Sequence, residues 1–160
     1  MKFMEKEEYK TFGKSRSVRL KGIDYTCMRY PIHIIISTKG KKQIFRNNDY
    51  AKVVGDELSK LRCAVTWCIM YDHVHILLCP EGDFIDVLNI IRCLKGRTSA
   101  KLYKEFGLSG VWQKSFYDHI LRRDEDIETI SLYILNNPVR KKIVDNWYDY
   151  DNSWSKYYER

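Results

Sequence analysis

The chain has no apolar run near the ~20 residues that a membrane-spanning helix needs, which excludes a helical membrane protein. Its opening stretch, MKFMEKEEYKTFGK, is charged throughout and shows no apolar signal segment, so a cytoplasmic protein is expected. The five cysteines, Cys27, Cys63, Cys68, Cys79 and Cys93, are odd in number and contain no CxxC pair. Their spacings suit neither a zinc finger nor a zinc ribbon, and they read as reduced thiols. Internal repeats and low-complexity tracts are missing as well. What remains is 160 residues with 44% hydrophobic side chains, enough for one domain with its own core. A disordered chain, a collagen-like chain, a secreted mini-protein and a two-domain enzyme are thereby excluded. The expected organisation is a single domain over 1–160, with a basic arm at 1–20 and an aromatic tail at 145–160.

Acidic charge is scarce at the front of the chain. Residues 1–60 hold 14 basic and 7 acidic side chains, whereas residues 61–160 hold 14 of each. The whole net charge of +7 therefore sits in the first 60 residues. Such a segment suggests a polyanionic partner, nucleic acid first, beside the plainer reading of a solvated surface.

Tyr30–Thr38, YPIHIIIST, is β-branched and stops at a Lys-Gly turn, which predicts a strand. Asn47 or Asn48 can cap a helix to about Leu61, with Tyr50, Val54, Leu58 and Leu61 on one face. Cys63–Pro80 is too long for one strand; with Asp72 as a turn it predicts antiparallel strands at about 63–70 and 73–79. Asp83 is expected to cap a helix with a stripe of Phe84, Val87, Leu88 and Ile91, stopped at Gly107. Its other faces carry Arg92, Lys95, Arg97, Lys101 and Lys104. Ser115–Arg122 predicts another strand. Asp124 is expected to cap a last helix that ends before Pro138. The tail from Trp147 to Tyr158 reads as a segment that docks on the body. The order β-α-β-β-α-β predicts an α+β, ferredoxin-like antiparallel sheet with helices on one face and an additional C-terminal helix.

All four histidines, His33, His73, His75 and His119, fall in or beside these strands. In His73-Val74-His75 the two imidazoles share one face of a strand, a spacing that one metal ion can bridge. Two hydrogen-bonded histidines on a half-exposed strand are the simpler alternative. Tyr133 and Asn137, four apart, share a helix face and supply a phenol and a neutral amide oxygen; core packing and a helix cap are their plainer roles.

With these residues in place, the chain resembles the single-tyrosine HUH transposases, in particular the REP-associated tyrosine transposases of the IS200-like family. The matching stretches are YPIHIIISTKGKKQIF, MYDHVHILLCP, IIRCLKGRTSAKL, VWQKSFYDHILR and LYILNNPVRKK, spread over about residues 17–155. The order HVH, WQxxFYDH, YxxNNP is what makes the resemblance specific.

The resemblance implies that His73 and His75 bind a divalent metal, Mg²⁺ or Mn²⁺, completed by Asn137 where relatives may carry glutamine. It implies that Tyr133 is the nucleophile, with Tyr117 as the rival, and that the last helix is the nucleophile helix. It also implies a cut in single-stranded or hairpin DNA through a covalent phosphotyrosine, in a bacterial or archaeal cytoplasm at the nucleoid, by a monomer or homodimer. His119 is implied as a near-site or DNA contact. The turn lysines Lys39, Lys41 and Lys42 and the helix residues Arg92, Lys95, Arg97 and Lys101 are the expected phosphate contacts. The other readings are a hairpin DNA- or RNA-binding protein of the same fold that does not cut, and a phosphodiesterase using the histidines with water.

Overall fold

A computed structural model describes residues 22–159, so the expected arm at 1–20 lies outside the described residues. The elements are β1 (Ile32–Ser37), α1 (Asn48–Leu58), β2 (Ala64–Ile69), β3 (His73–Leu78), α2 (Val87–Phe106), β4 (Tyr117–Ile120), α3 (Ile127–Leu135), α4 (Asn137–Arg140) and β5 (Ser153–Ser155). The strands form one antiparallel sheet in the order β4-β1-β3-β2-β5. The first four are in ferredoxin-like order, and the α+β sandwich read from the sequence is the fold observed. β5 is the docked tail, added as a fifth strand on the β2 edge.

Alternation along the strands separates two cores. Ile32, Ile34 and Ile36 of β1 and Val74, Ile76 and Leu78 of β3 pack under α1 and α2, with Val54, Leu58, Val87, Ile91, Leu94 and Leu102. Val65, Cys68, Met70 and Leu77 face the other way and pack with Leu121, Ile134 of α3 and Tyr150 of the tail. The expected helices on one face are α1 and α2, while α3 covers the opposite face.

Two helix caps are corrected. The helix after β3 begins at Val87, capped by Asp86, whose carboxylate accepts from Asn89 N–H at 2.9 Å, and not by Asp83. The antiparallel bridge of Ile85 to Met28 keeps the chain extended up to that point, and Phe84 is left exposed outside the stripe. Similarly, α3 is capped by Asp126 through Thr129 N–H and not by Asp124. The last helix ends before Pro138, as the sequence predicts. α3 ends at Leu135, and Pro138 then opens the short α4, because a proline in a first helical turn removes an N–H that needs no partner.

A register shift between Ala64 and Thr66 lets Thr66 face α3. Its hydroxyl lies 2.7 Å from the Ser131 hydroxyl of α3 and 2.9 Å from that of Ser155 in β5, and all three side chains are buried. This polar knot ties the helix and the tail to the same strand. Tyr150 adds a second tie by donating to the Ile69 carbonyl at 2.7 Å. Thr66→Val is expected to destabilise the protein by about 1–3 kcal/mol, since it strips a partner from two buried hydroxyls. Thermal unfolding measures this, and an unchanged midpoint would show that the knot holds nothing. Among the described residues no helix is long and apolar enough to cross a membrane.

Candidate active site

Period-2 geometry on β3 sends Val74 and Ile76 into the α1–α2 core and turns His73 and His75 to the opposite face. On β1 the same alternation, set by its isoleucines, turns His33 to that face. Antiparallel pairing places Ile35 opposite His75 and Leu77 opposite His33, so the His33 and His75 rings lie diagonally across the strand pair. They stack with centroids 5.2 Å apart. His33 Nε2 is 3.0 Å from His75 Nδ1, and His75 Nε2 is 3.1 Å from His73 Nε2. His73 Nδ1 hydrogen bonds the carboxylate of Asp72 in the β2–β3 turn.

This row fits a metal ion. Nitrogen ligands about 2.1 Å from one ion stand roughly 3.0–3.4 Å from each other, the range into which the Nε2 pair falls. Asp72 fixes the proton of His73 on Nδ1 and leaves Nε2 as the lone-pair atom, the arrangement of a carboxylate-oriented metal histidine. Among the described residues no three His, Cys, Asp or Glu side chains form a closed cluster for a metal. The amide of Asn137 is a donor of another kind.

α3 brings the phenol. Its buried face, Ser131, Ile134 and Leu135, docks on the sheet and leaves Tyr133 half-buried at the margin. The Tyr133 ring stands edge-on to His33, with centroids 6.4 Å apart at 76°. The guanidinium of Arg140 lies over its face, 4.8 Å from the centroid. Asn137, buried one helical turn on, donates from Nδ2 to the Tyr133 carbonyl at 3.0 Å and to that of Ile134 at 3.2 Å. Its Oδ1 is the atom the amide can offer to an ion. The structure thus gathers His33, His73, His75, Tyr133 and Arg140, with Asn137 on the adjoining turn.

The electrostatics favour neutral imidazoles and a bound anion. Burial, with His119 nearby, holds His33 down at about 4. Burial also takes His75 well below the ordinary histidine range, helped by His33, His73, Arg140 and Lys41. His73 is lowered by burial against the opposing pull of Asp72. Lys41, Arg140 and Lys141 are the cations whose fields reach the pair. Lys41 also donates to Ser37 Oγ at 2.7 Å, which anchors it at the end of β1.

The other candidates are placed differently. Tyr117 sits on the edge strand β4, opposite Ile35 on the histidine face, and is 40% exposed. His119 is the cross-strand partner of His33, and its Nε2 contacts both Glu125 oxygens at 2.8 and 3.0 Å. Lys39 and Lys42 are exposed in the turn that holds Lys41. Arg92, Lys95, Arg97 and Lys101 belong to α2, behind the sheet. Arg92 and Arg97 are exposed, and Arg92 donates to Asn89 Oδ1 at 2.7 Å. Lys101 is paired with Glu57 of α1 at 2.8 Å.

The Lys95 ammonium donates to the carbonyls of Gln113 at 2.7 Å and Ser115 at 2.9 Å, with that of Lys114 at 3.4 Å. Burial pulls it down to about 8. Lys95→Met is therefore expected to cost about 1–3 kcal/mol and to loosen the loop ahead of β4, read by unfolding and amide exchange. A variant that melts like the wild type yet loses hairpin affinity would put Lys95 on DNA instead.

His33, Arg140 and Lys141 are site residues that sequence reasoning left unassigned. A signal existed for His33, the one polar ring in a run of isoleucines. For Arg140 the signal was its position seven residues after Tyr133, two helical turns on the same face.

Comparison with known proteins gives the family and the fold. The family model described as "Transposase IS200 like" matches residues 26–137. A Haemophilus influenzae protein assigned as a REP-associated tyrosine transposase is 33% identical over 97 residues, 52% of this chain and 54% of that protein. The match thus spans about half the length of the curated relative. A solved REP-associated tyrosine transposase, bound to a REP hairpin, superimposes with a TM-score of 0.62 at 20% identity. That alignment covers 89% of this chain and 82% of the other, and it shows a common HUH fold. With most of the described sheet and the tyrosine helix inside the matched span, the chain belongs to the IS200-like transposase family.

Proposed function

We propose that this chain is a metal-dependent nuclease and strand-joining enzyme that cuts single-stranded DNA beside hairpin-forming repeats through a phosphotyrosine at Tyr133. The observation that carries this reading is the contact of the Tyr133 ring with His33, itself hydrogen bonded to one member of the paired histidines. A nucleophile and an ion-binding pair are thereby held on one face by a single intervening ring.

In the proposed step the Tyr133 phenolate attacks a phosphodiester. The new O–P bond leaves the phosphate on the tyrosine, the P–O3′ bond breaks, and the 3′ oxygen takes up a proton. The phosphotyrosine conserves the bond, so a later 3′-hydroxyl can reverse the step and join strands without ATP. Mg²⁺ or Mn²⁺ held by His73, His75 and Asn137 would polarise the scissile phosphate and orient it in line. Arg140, Lys41 and Lys141 would meet the phosphate charge, and Lys39 and Lys42 would extend that surface along the strand. In this reading one copy carries every one of these groups, with α3 packed on the sheet of its own chain.

The hairpin substrate is taken from the solved relative, whose partner is a REP hairpin. The test is incubation of the protein with labelled single-stranded DNA carrying hairpin repeats, with Mg²⁺ or Mn²⁺ and with chelator. A protein–DNA adduct that survives denaturation and needs the ion is expected. Tight hairpin binding with no adduct in either ion would sink the reading and favour a binding protein of the same fold.

A further inference from the structure

His33 has no place in the reaction as just described, yet it is 7% exposed and touches both halves of the site. Its Nε2 stands 3.0 Å from His75 Nδ1, and its ring meets Tyr133 edge-on. Each neutral imidazole has one N–H and one lone pair, so the proton positions along the row can be counted. Asp72 holds the first proton on His73 Nδ1, which makes His73 Nε2 an acceptor. In the chain without an ion, His75 then donates from Nε2 to His73, and His33 donates from Nε2 to His75 Nδ1. Every contact in the row is satisfied.

An ion between His73 and His75 needs lone pairs on both Nε2 atoms. The His75 proton must then sit on Nδ1, and something must accept it there. His33 Nε2 is the atom at hydrogen-bond distance.

Resting on the metal reading above, we infer that His33 is a positioning residue that reverses its hydrogen bond to His75 when the ion binds. The His75 proton moves from Nε2 to Nδ1, the His33 proton moves from Nε2 to Nδ1, and no proton is lost. The same ring, held by this bond, also sets the angle of Tyr133. The inference accounts for a histidine in a strand whose alternate residues are isoleucines: phenylalanine would fill the space but could not exchange donor for acceptor. Outer partners of metal histidines generally matter on this scale, with loss costing about 10–100-fold in affinity.

The test compares wild type, His33→Phe and His33→Gln by Mn²⁺ titration calorimetry, together with imidazole nitrogen NMR of the wild type with and without Zn²⁺. His33→Phe is expected to weaken Mn²⁺ binding about 10–100-fold, and to lower the ion-free melting temperature only by what one lost buried hydrogen bond costs. His33→Gln, whose amide can accept or donate, should recover most of the loss. The NMR should show His75 protonated on Nε2 alone and on Nδ1 with Zn²⁺ bound. Equal Mn²⁺ affinity in wild type and His33→Phe, or a His75 tautomer that Zn²⁺ leaves unchanged, overturns the inference and leaves the metal site standing. A wild type that takes up no ion overturns both, and the metal-free spectrum then shows whether the His33–His75 bond exists without it.

Discussion

Tyr133→Phe is expected to abolish the covalent protein–DNA product, with a fall of about 10⁴-fold or more in cleavage, the scale seen when an enzyme loses its nucleophile. The substitution removes one oxygen and keeps the ring. The edge contact with His33 and the guanidinium of Arg140 over the ring face are both contacts of the ring itself, so they survive. Stability should move by no more than the loss of one hydroxyl hydrogen bond, about 0.5–1.5 kcal/mol, and hairpin affinity should stay within a few-fold, because the change makes no cavity. The measurement is adduct formation on a labelled strand, with calorimetric unfolding as the control. Tyr117→Phe belongs beside it. That phenol lies on the same face of the sheet but on the exposed edge strand, opposite Ile35 and not on α3. If the adduct disappears with Tyr117→Phe and persists with Tyr133→Phe, the nucleophile has been misassigned.

The second large effect is expected at the histidine pair. His75→Ala, or withdrawal of the divalent ion by chelation, should reduce cleavage by about 10³-fold or more, because the ion is asked to supply several kcal/mol of charge stabilisation. Adding Mg²⁺ or Mn²⁺ back should rescue the chelated wild type and not the variant. His75 is buried between His33 and His73, so its truncation also opens a cavity and breaks both bonds of the row. His73→Ala separates the two causes. His73 is only half-buried and ends the row at Asp72, so its loss removes a ligand with less damage to packing. Both variants should still bind hairpin DNA if, as proposed, the phosphate contacts come from Lys41, Arg140 and Lys141. A His73→Ala protein that cleaves at the wild-type rate would remove the ion from the mechanism.

Much of the fold could be read from local pattern. The alternation in His73-Val74-His75 and in the isoleucines of β1 is a period-2 signal that survives in the structure, because each strand has one face on a core. Caps were less legible. Asp83 and Asp124 are sound capping residues by type, but Asp86 and Asp126 do the capping, since a bridge to Met28 and the turn around Glu125 hold the chain non-helical for longer. β5 was legible only as a docking tail. Three residues, Ser-Trp-Ser, carry no strand signal, and they become a strand because the edge of β2 offers them hydrogen bonds.

The candidate site divides in the same way. Residue types and their spacing along one element, such as His73 with His75 or Tyr133 with Asn137, are properties of the chain that strand and helix periods convert directly into shared faces. That much the sequence determined alone, together with its charge and its family likeness. Whether a basic residue faces a ligand or a neighbour is a long-range matter. Lys95 ends on the carbonyls of Gln113 and Ser115, Lys101 on Glu57, and Lys41 beside the histidines, and nothing local distinguishes these three lysines. The tertiary structure also decided that α3 lies on the sheet, pinned by Thr66, Ser131 and Ser155, and that His33 stands between His75 and the Tyr133 ring. These contacts join residues tens of positions apart, and only the packing of β1, β3 and α3 against one another brings them within reach.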